Sequence, residues 1–143
     1  MQDFLNELSD DLNYIKHTIE KDTCHIYCES KNIKNEPVHA RQERTVRDLP
    51  FGDKQVILHI ISKRFYKDNG KTYAEKFDFI NNTGRRTKRL DKKIIDSNVE
   101  GSIIGTERTL KKLGINVSDT TILRIIKKNE IHKKIKNKRS SNR

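Results

Sequence analysis

Apolar residues recur at helical spacing in the C-terminal third of the chain and predict two short helices there. The apolar positions of the first segment lie on one side of a helix, and Gly114 follows them where a helix end favours glycine. Ser118 is placed to cap the second segment by accepting a hydrogen bond from a free backbone N–H. The apolar positions are Ile103, Ile104, Leu110 and Leu113 in the first segment and Ile122, Ile125 and Ile126 in the second.

Two short helices joined by a glycine-containing turn, with a basic second helix, are typical of a helix-turn-helix DNA-binding motif. In this interpretation residues 115–117 form the tight connection and residues 118–128 form the recognition helix. A further helix is predicted over residues 87–98, after a polar linker at residues 81–84. The alternative interpretation is an ordinary helical hairpin whose basic face is solvated.

The N-terminal half shows the two-residue alternation that is typical of β-strands. Polar segments containing Gly or Pro separate the predicted strands, and Asp68-Asn69-Gly70 is a strong hairpin signal. The predicted elements are a helix over residues 2–12, strands over residues 14–19, 23–29, 41–47, 55–66 and 71–77, a loop over residues 32–37 and a turn over residues 48–52.

The pattern as a whole predicts an α+β chain, in which a small antiparallel β module precedes a three-helix helix-turn-helix domain. The β module is expected to be basic and to expose one face to solvent, because its strands carry many Arg and Lys residues. The predicted divisions are an N-terminal helix and β-hairpin over residues 1–34, the basic β module over residues 35–80, the helix-turn-helix domain over residues 85–128 and a basic disordered tail over residues 129–143.

Charge is unevenly distributed along the 143 residues, which carry a net charge of +11. Residues 1–30 contain two lysines against seven acids, a net −5, whereas residues 31–143 contain 29 bases against 13 acids, a net +16. A basic body of this kind favours a polyanionic partner, either nucleic acid or a membrane surface. Apolar runs stay well below the roughly 20 residues of a membrane-spanning helix, and the acidic N-terminus is unlike a signal peptide. The sequence therefore predicts a cytoplasmic, nucleoid-associated protein and no membrane partner.

Cys24 and Cys28 are the only cysteines, and their spacing with His25 between them invites comparison with a metal site. The segment also alternates like a strand, which places both thiols and Ile26 on one face. Two small apolar thiols packed beside Ile26 is the favoured interpretation, since no second cysteine pair exists to complete a tetrahedral site.

Several sequence pieces together resemble the N-terminal part of bacterial insertion-sequence transposases of the ISL-three family. The pieces occur in the family's order across residues 18–128: VHARQERTVRDLPFGDKQVILHI, KRFY, TYAEKF, GRRTKRL and LGINVSDTTILRIIK. The family's H-x-R-x-x-R-x-x-x-D-L-P-x-G positions would then fall on His39, Arg41, Arg44, Asp48, Leu49, Pro50 and Gly52. The resemblance further implies that Ala74, Glu75 and Phe77 end a zinc-ribbon-like β module, and that Ser118, Thr121 and Arg124 lie on the recognition helix.

Two departures from the family's pattern shape the functional expectation. Neither residues 31–38 nor residues 67–70 contain the cysteine pairs with which the family's β module binds zinc, so the module is degenerate and no cofactor is expected. The family's DDE catalytic domain would begin after Lys128, where about 15 residues remain, six of them Lys or Arg. Asp48 and Asp53 are expected to be solvated turn-formers, and the chain is expected not to be an enzyme.

The expected function is sequence-specific binding of transposon-end duplex DNA by a truncated transposase, without catalysis. The alternatives are a free-standing helix-turn-helix regulator, the DNA-binding subunit of a split transposase whose acids come from a separate polypeptide, and a decayed gene product. The protein would act as a homodimer or with that catalytic polypeptide. The predicted DNA contacts are Arg41, Arg44, Arg85, Arg86, Lys88, Ser118, Thr120, Thr121, Arg124, Lys127 and Lys128.

Overall fold

The structure, a computed structural model, describes residues 1–31, 36–98 and 101–141, without the side chains of residues 140 and 141. It divides into two compact units, Met1–Arg89 and Leu90–Arg143. The elements in chain order are α1 (Gln2–Leu8), β1 (Leu12–Glu20), β2 (Thr23–Ser30), β3 (Val38–Phe51), β4 (Lys54–Tyr66), β5 (Thr72–Ala74), α2 (Lys88–Asp96), α3 (Ile103–Lys112) and α4 (Asp119–Ser141).

The first unit is built on one five-stranded mixed sheet with the order β1-β2-β4-β3, and β5 pairs with the end of β4. β1 with β2 and β3 with β4 form antiparallel hairpins, each closed by a two-residue turn. Lys21 and Gly52 have positive φ in these turns, as tight hairpins require. β2 and β4 join the hairpins by parallel pairing, which runs from Thr23 opposite Gln55 to Glu29 opposite Ile61.

One face of the sheet carries the hydrophobic core of this unit. Alternation brings Cys24, Ile26 and Cys28 of β2 onto this face, beside inward-facing residues of β3 and β4. Leu5 of α1 is also fully buried in the same cluster. The other buried members are Leu12, Val46, Val56, Leu58, Ile60 and Ile80. The prediction that both cysteines pack on a strand beside Ile26 is therefore confirmed.

The second unit is helical, and both of its later helices begin at a serine cap. The Ser102 Oγ accepts a hydrogen bond from the Gly105 N–H at 3.1 Å at the start of α3. The Ser118 Oγ accepts one from the Thr121 N–H at 3.2 Å at the start of α4. α3 packs against α4, and Leu110, Ile115 and Ile122 are buried. The predicted capping role of Ser118 is confirmed.

The predicted fold class is wrong in both of its parts. The hairpin and the β module, expected as separate small pieces, form a single mixed sheet because β2 pairs with β4. The helices do not form a helix-turn-helix domain. Six residues, 113–118, connect α3 to α4 in place of a three-residue turn, and α4 runs for 23 residues.

The predicted disordered tail over residues 129–143 is helical as far as Ser141, because α4 continues past Lys128. No Gly or Pro occurs between Asp119 and Ser141, so nothing in the local sequence terminates the helix at Lys128. Of the predicted tail, residues 142 and 143 lie outside the described residues. Residues 32–35 of the predicted loop and residue 100 at the start of the predicted helical region also lie outside them.

Candidate nucleic-acid interface

α4 carries the largest exposed group of basic side chains that the sequence analysis assigned to DNA. Ile122 and Ile125 are its buried residues, and Ile126 is half-buried. From residue 131 to residue 139 every side chain is exposed, so this half of the helix projects into solvent around its whole circumference. Apart from Ile131 and Ile135, this half of α4 is polar on every side, so no buried apolar face holds it in the part of the chain that the structure describes.

Most of the exposed Lys and Arg side chains of α4 lie on the side opposite its buried isoleucines. Counting about 100° per residue places Ile131 about half a turn away from Ile122. We define the outer face of α4 as the side centred on Ile131, taken from Arg124 onward. Its members, all of them exposed, are Arg124, Lys127, Lys128, Ile131, Lys134, Ile135, Lys138 and Arg139. Six of the eight are cations. The structure therefore places the predicted contacts Arg124, Lys127 and Lys128 on the same side as Lys and Arg residues of the predicted tail.

The N-terminal residues of α4 are engaged within the helix itself. The Ser118 hydroxyl donates to Thr121 Oγ1 at 2.9 Å as well as accepting from the Thr121 N–H. Asp119 Oδ1 accepts from the Thr120 N–H at 2.7 Å. Ser118 and Thr121, predicted as DNA contacts, therefore hydrogen-bond to each other at the helix cap. Thr120, also a predicted contact, is exposed.

The predicted DNA contacts on β3 are engaged by neighbours within the first unit. Arg41 Nε lies 3.7 Å from Glu29 Oε1, and the Arg44 guanidinium lies over the Phe77 ring at 5.7 Å. Arg41 and Arg44 are three residues apart on a strand, so they point to opposite faces of the sheet. They do not form a shared basic surface.

Residues 85–87 lie along the outer edge of β3 and are held there by backbone hydrogen bonds. The Arg47 N–H donates to the Arg85 carbonyl and the Thr87 N–H donates to the Arg47 carbonyl, both at 2.9 Å. This pairing fixes the backbone beneath three predicted DNA contacts. Arg85 and Lys88 have exposed side chains, whereas Arg86 is half-buried.

Asp48 has a structural role that the sequence analysis missed. Its side chain is fully buried on β3, where Oδ1 accepts from Thr87 Oγ1 at 2.7 Å and from Arg89 Nε at 2.8 Å. Arg89 Nη2 donates to Oδ2 at 2.5 Å, and the Arg89 guanidinium lies over the Phe4 ring at 4.6 Å. The expectation that Asp48 is a solvated turn-former is therefore wrong, whereas Asp53 is exposed in the hairpin turn.

Imidazole and phenol rings cluster on the open face of the sheet. His25 Nδ1 and His59 Nε2 are 2.9 Å apart, and His59 Nδ1 lies 3.1 Å from Glu43 Oε1. Tyr27 stacks on His59 with ring centroids 4.4 Å apart, and Lys16 Nζ lies 5.0 Å from the centroid of the Tyr27 ring. Because His59 and Lys16 both lie against the Tyr27 ring, less of that ring is open to stacking by a nucleobase.

Neither the cysteines whose spacing invites a metal site nor the His39 of the family pattern is placed in a zinc site. Cys24 and Cys28 face the core of the sheet, and His39 Nδ1 hydrogen-bonds with Tyr66 Oη at 2.8 Å. Among the described residues, no group of three or more His, Cys, Asp and Glu side chains is placed to share a metal ion.

The two thiols are expected to resist a thiol-specific reagent at pH 8 in the folded protein and to react fully in urea. Burial raises the pKa of Cys28 to about 12 and also raises the pKa of Cys24, so the reactive thiolate is scarce. Because the pKa of Cys28 is raised above its ordinary 9.0, its contribution to stability is present below that pH and is lost as the pH rises towards 12. Following the reagent's absorbance checks this, and rapid labelling of folded protein would contradict it.

Comparisons of the chain with protein-family models, with curated proteins and with solved structures find no match. Over the part of the chain that the structure describes, no helix combines the length and apolar character needed to cross a bilayer.

Proposed function

We propose that this protein binds double-stranded DNA through the outer face of α4. The observation that carries the proposal is the placement of six exposed cations on one side of a single projecting helix. Lys and Arg side chains that neutralise phosphates release condensed counterions, and this release supplies much of the affinity of proteins for DNA. The proposal does not depend on a helix-turn-helix arrangement.

The shape of α4 suits a DNA groove. A helix of 23 residues is about 35 Å long and, with its side chains, about 10–12 Å across. The major groove of B-form DNA is about 12 Å wide and admits a single α-helix. Since side chains 131–139 are all exposed, this half of α4 can enter the groove without unpacking a buried residue.

Transposon ends are the DNA to which the resemblance points, and binding them without cleavage is the role we propose within this class. The alternative of a regulator that binds a promoter uses the same helix and differs only in the DNA site. Selection of bound duplexes from a random pool, followed by sequencing, distinguishes these two sites.

Duplex binding is expected to be strong at low salt and to weaken steeply as salt rises. With five or six phosphate contacts, affinity should fall by roughly 10³-fold between 50 and 200 mM salt. Fluorescence anisotropy of a labelled 20-base-pair duplex measures this with the full chain. Vesicles of anionic phospholipid at matched charge concentration serve as the competing polyanion. Preferential binding to the vesicles, or no binding to the duplex at 50 mM salt, would overturn the proposal.

A further inference from the structure

The centre of the outer face of α4 is apolar, although cations surround it. Ile131 and Ile135 have 59% and 47% of their surfaces exposed. They are four residues apart and therefore neighbours on one side of the helix, about 40° apart around its axis. Lys127 and Lys134 lie on one flank of this pair, and Lys128 and Arg139 lie on the other. We call this pair the isoleucine stripe. It lies between two rows of cations, and Arg124 and Lys138 lie close to its line, before and after it along the helix.

This arrangement matches the cross-section of a major groove. A helix lying in the groove directs its central stripe towards the base edges and its two flanks towards the two phosphate backbones. The cation rows then lie where the phosphates are. The isoleucine stripe lies where the bases are, and the only apolar group that B-form DNA presents there is the C5-methyl group of thymine.

We propose that Ile131 and Ile135 contact thymine methyl groups, so that the protein prefers A·T-containing duplexes read from the major groove. This inference rests on the proposed function and adds the chemical group that is recognised. The two isoleucines are about 6 Å apart along the helix axis, which corresponds to about two base-pair steps. Arg124 lies in line with the stripe, about 10 Å before Ile131 along the axis, where it can reach the bases about three steps away.

Other occupants suit this face less well. A second copy of the chain would bring the cation rows of two helices together, and like charges at close range repel. A membrane-bound helix buries a wide apolar face, whereas here two isoleucines alternate with cations on every side. Duplex DNA satisfies both the charged flanks and the narrow apolar centre.

Replacement of thymine by uracil tests the contact, because deoxyuridine lacks only the C5-methyl group. The probes are an alternating dA·dT duplex of 20 base pairs and its dA·dU counterpart, each titrated by anisotropy against the full chain. Burying one methyl group corresponds to about a fourfold change in affinity. The dA·dU duplex is therefore expected to bind about 4- to 16-fold more weakly than the dA·dT duplex.

The variant Ile131→Ala/Ile135→Ala is expected to bind both duplexes with equal affinity. Ile104→Ala is the matched control, because Ile104 is an isoleucine of α3 with 63% of its surface exposed; this variant should keep the full preference for thymine. Equal binding of the two duplexes by the unmodified chain, or a preference that survives the double variant, overturns this inference while DNA binding stands. Failure to bind either duplex overturns the proposed function as well.

Discussion

The variant Asp48→Ala is expected to lose about 3–5 kcal/mol of its free energy of unfolding, because it leaves the half-buried guanidinium of Arg89 without its carboxylate partner. The Asp48 carboxylate is fully buried and both of its oxygens accept from the Arg89 guanidinium. Thr87 Oγ1 also loses its acceptor in the variant. Urea denaturation followed by circular dichroism measures the change.

Asp53→Ala is the matched control for this experiment. Asp53 is an aspartate five residues further along the same hairpin, but it is exposed, so its loss should change stability by no more than about 0.5 kcal/mol. The double variant Asp48→Ala/Arg89→Ala should be more stable than the sum of the two single losses predicts, since it leaves neither the carboxylate nor the guanidinium without its partner. Equal effects of Asp48→Ala and Asp53→Ala would show that the buried pair contributes nothing.

Replacing both cation rows of α4 is expected to have the largest effect on DNA binding. The variant Lys127→Ala/Lys128→Ala/Lys134→Ala/Arg139→Ala removes four exposed cations from the outer face. At 0.1 M salt its duplex affinity should fall by roughly 10²–10³-fold, and the slope of log affinity against log salt should become shallower by about 3–4. Anisotropy titrations at four salt concentrations measure both quantities. Circular dichroism confirms that the helix persists, as alanine favours helices.

Two double variants distinguish the effect of which side of α4 carries the cations from the effect of how many cations there are. Lys128→Ala/Arg139→Ala removes two charges from the outer face, whereas Lys133→Ala/Lys136→Ala removes two from the opposite side of α4. The first should reduce the salt slope by about 2, and the second should leave it nearly unchanged. Equal losses in both variants would mean that net charge alone attracts the DNA and that α4 presents no preferred face.

Local patterns predicted local structure correctly in this chain. The alternation around Cys24 and Cys28 predicted a strand with both thiols inward, and the cap at Ser118 predicted where α4 begins. Each of these depends on neighbours within a few residues, which the sequence displays directly.

Features that depend on distant partners were not visible in the same way. The pairing of β2 with β4 follows from the fit of two strands far apart in the chain. An alternating strand has the same sequence pattern whether it pairs with one neighbouring strand or with two. The burial of Asp48 depends on Arg89, 41 residues away. The end of α4 was misplaced because the density of Lys and Arg after Lys128 is equally typical of disordered tails and of exposed helices.

The parallel seam between β2 and β4 has a consequence for how the sheet opens. Every partner pair along this seam, from Thr23 with Gln55 to Glu29 with Ile61, joins residues that are 32 positions apart. A hairpin closes a short loop first and can then lengthen from its turn, but here the first pair already closes the whole loop. Further pairs enclose no additional chain, so the loop-closure entropy is lost once and the later pairs form without that penalty. The seam is therefore expected to open as a unit, with its backbone amides exchanging hydrogen at one common free energy.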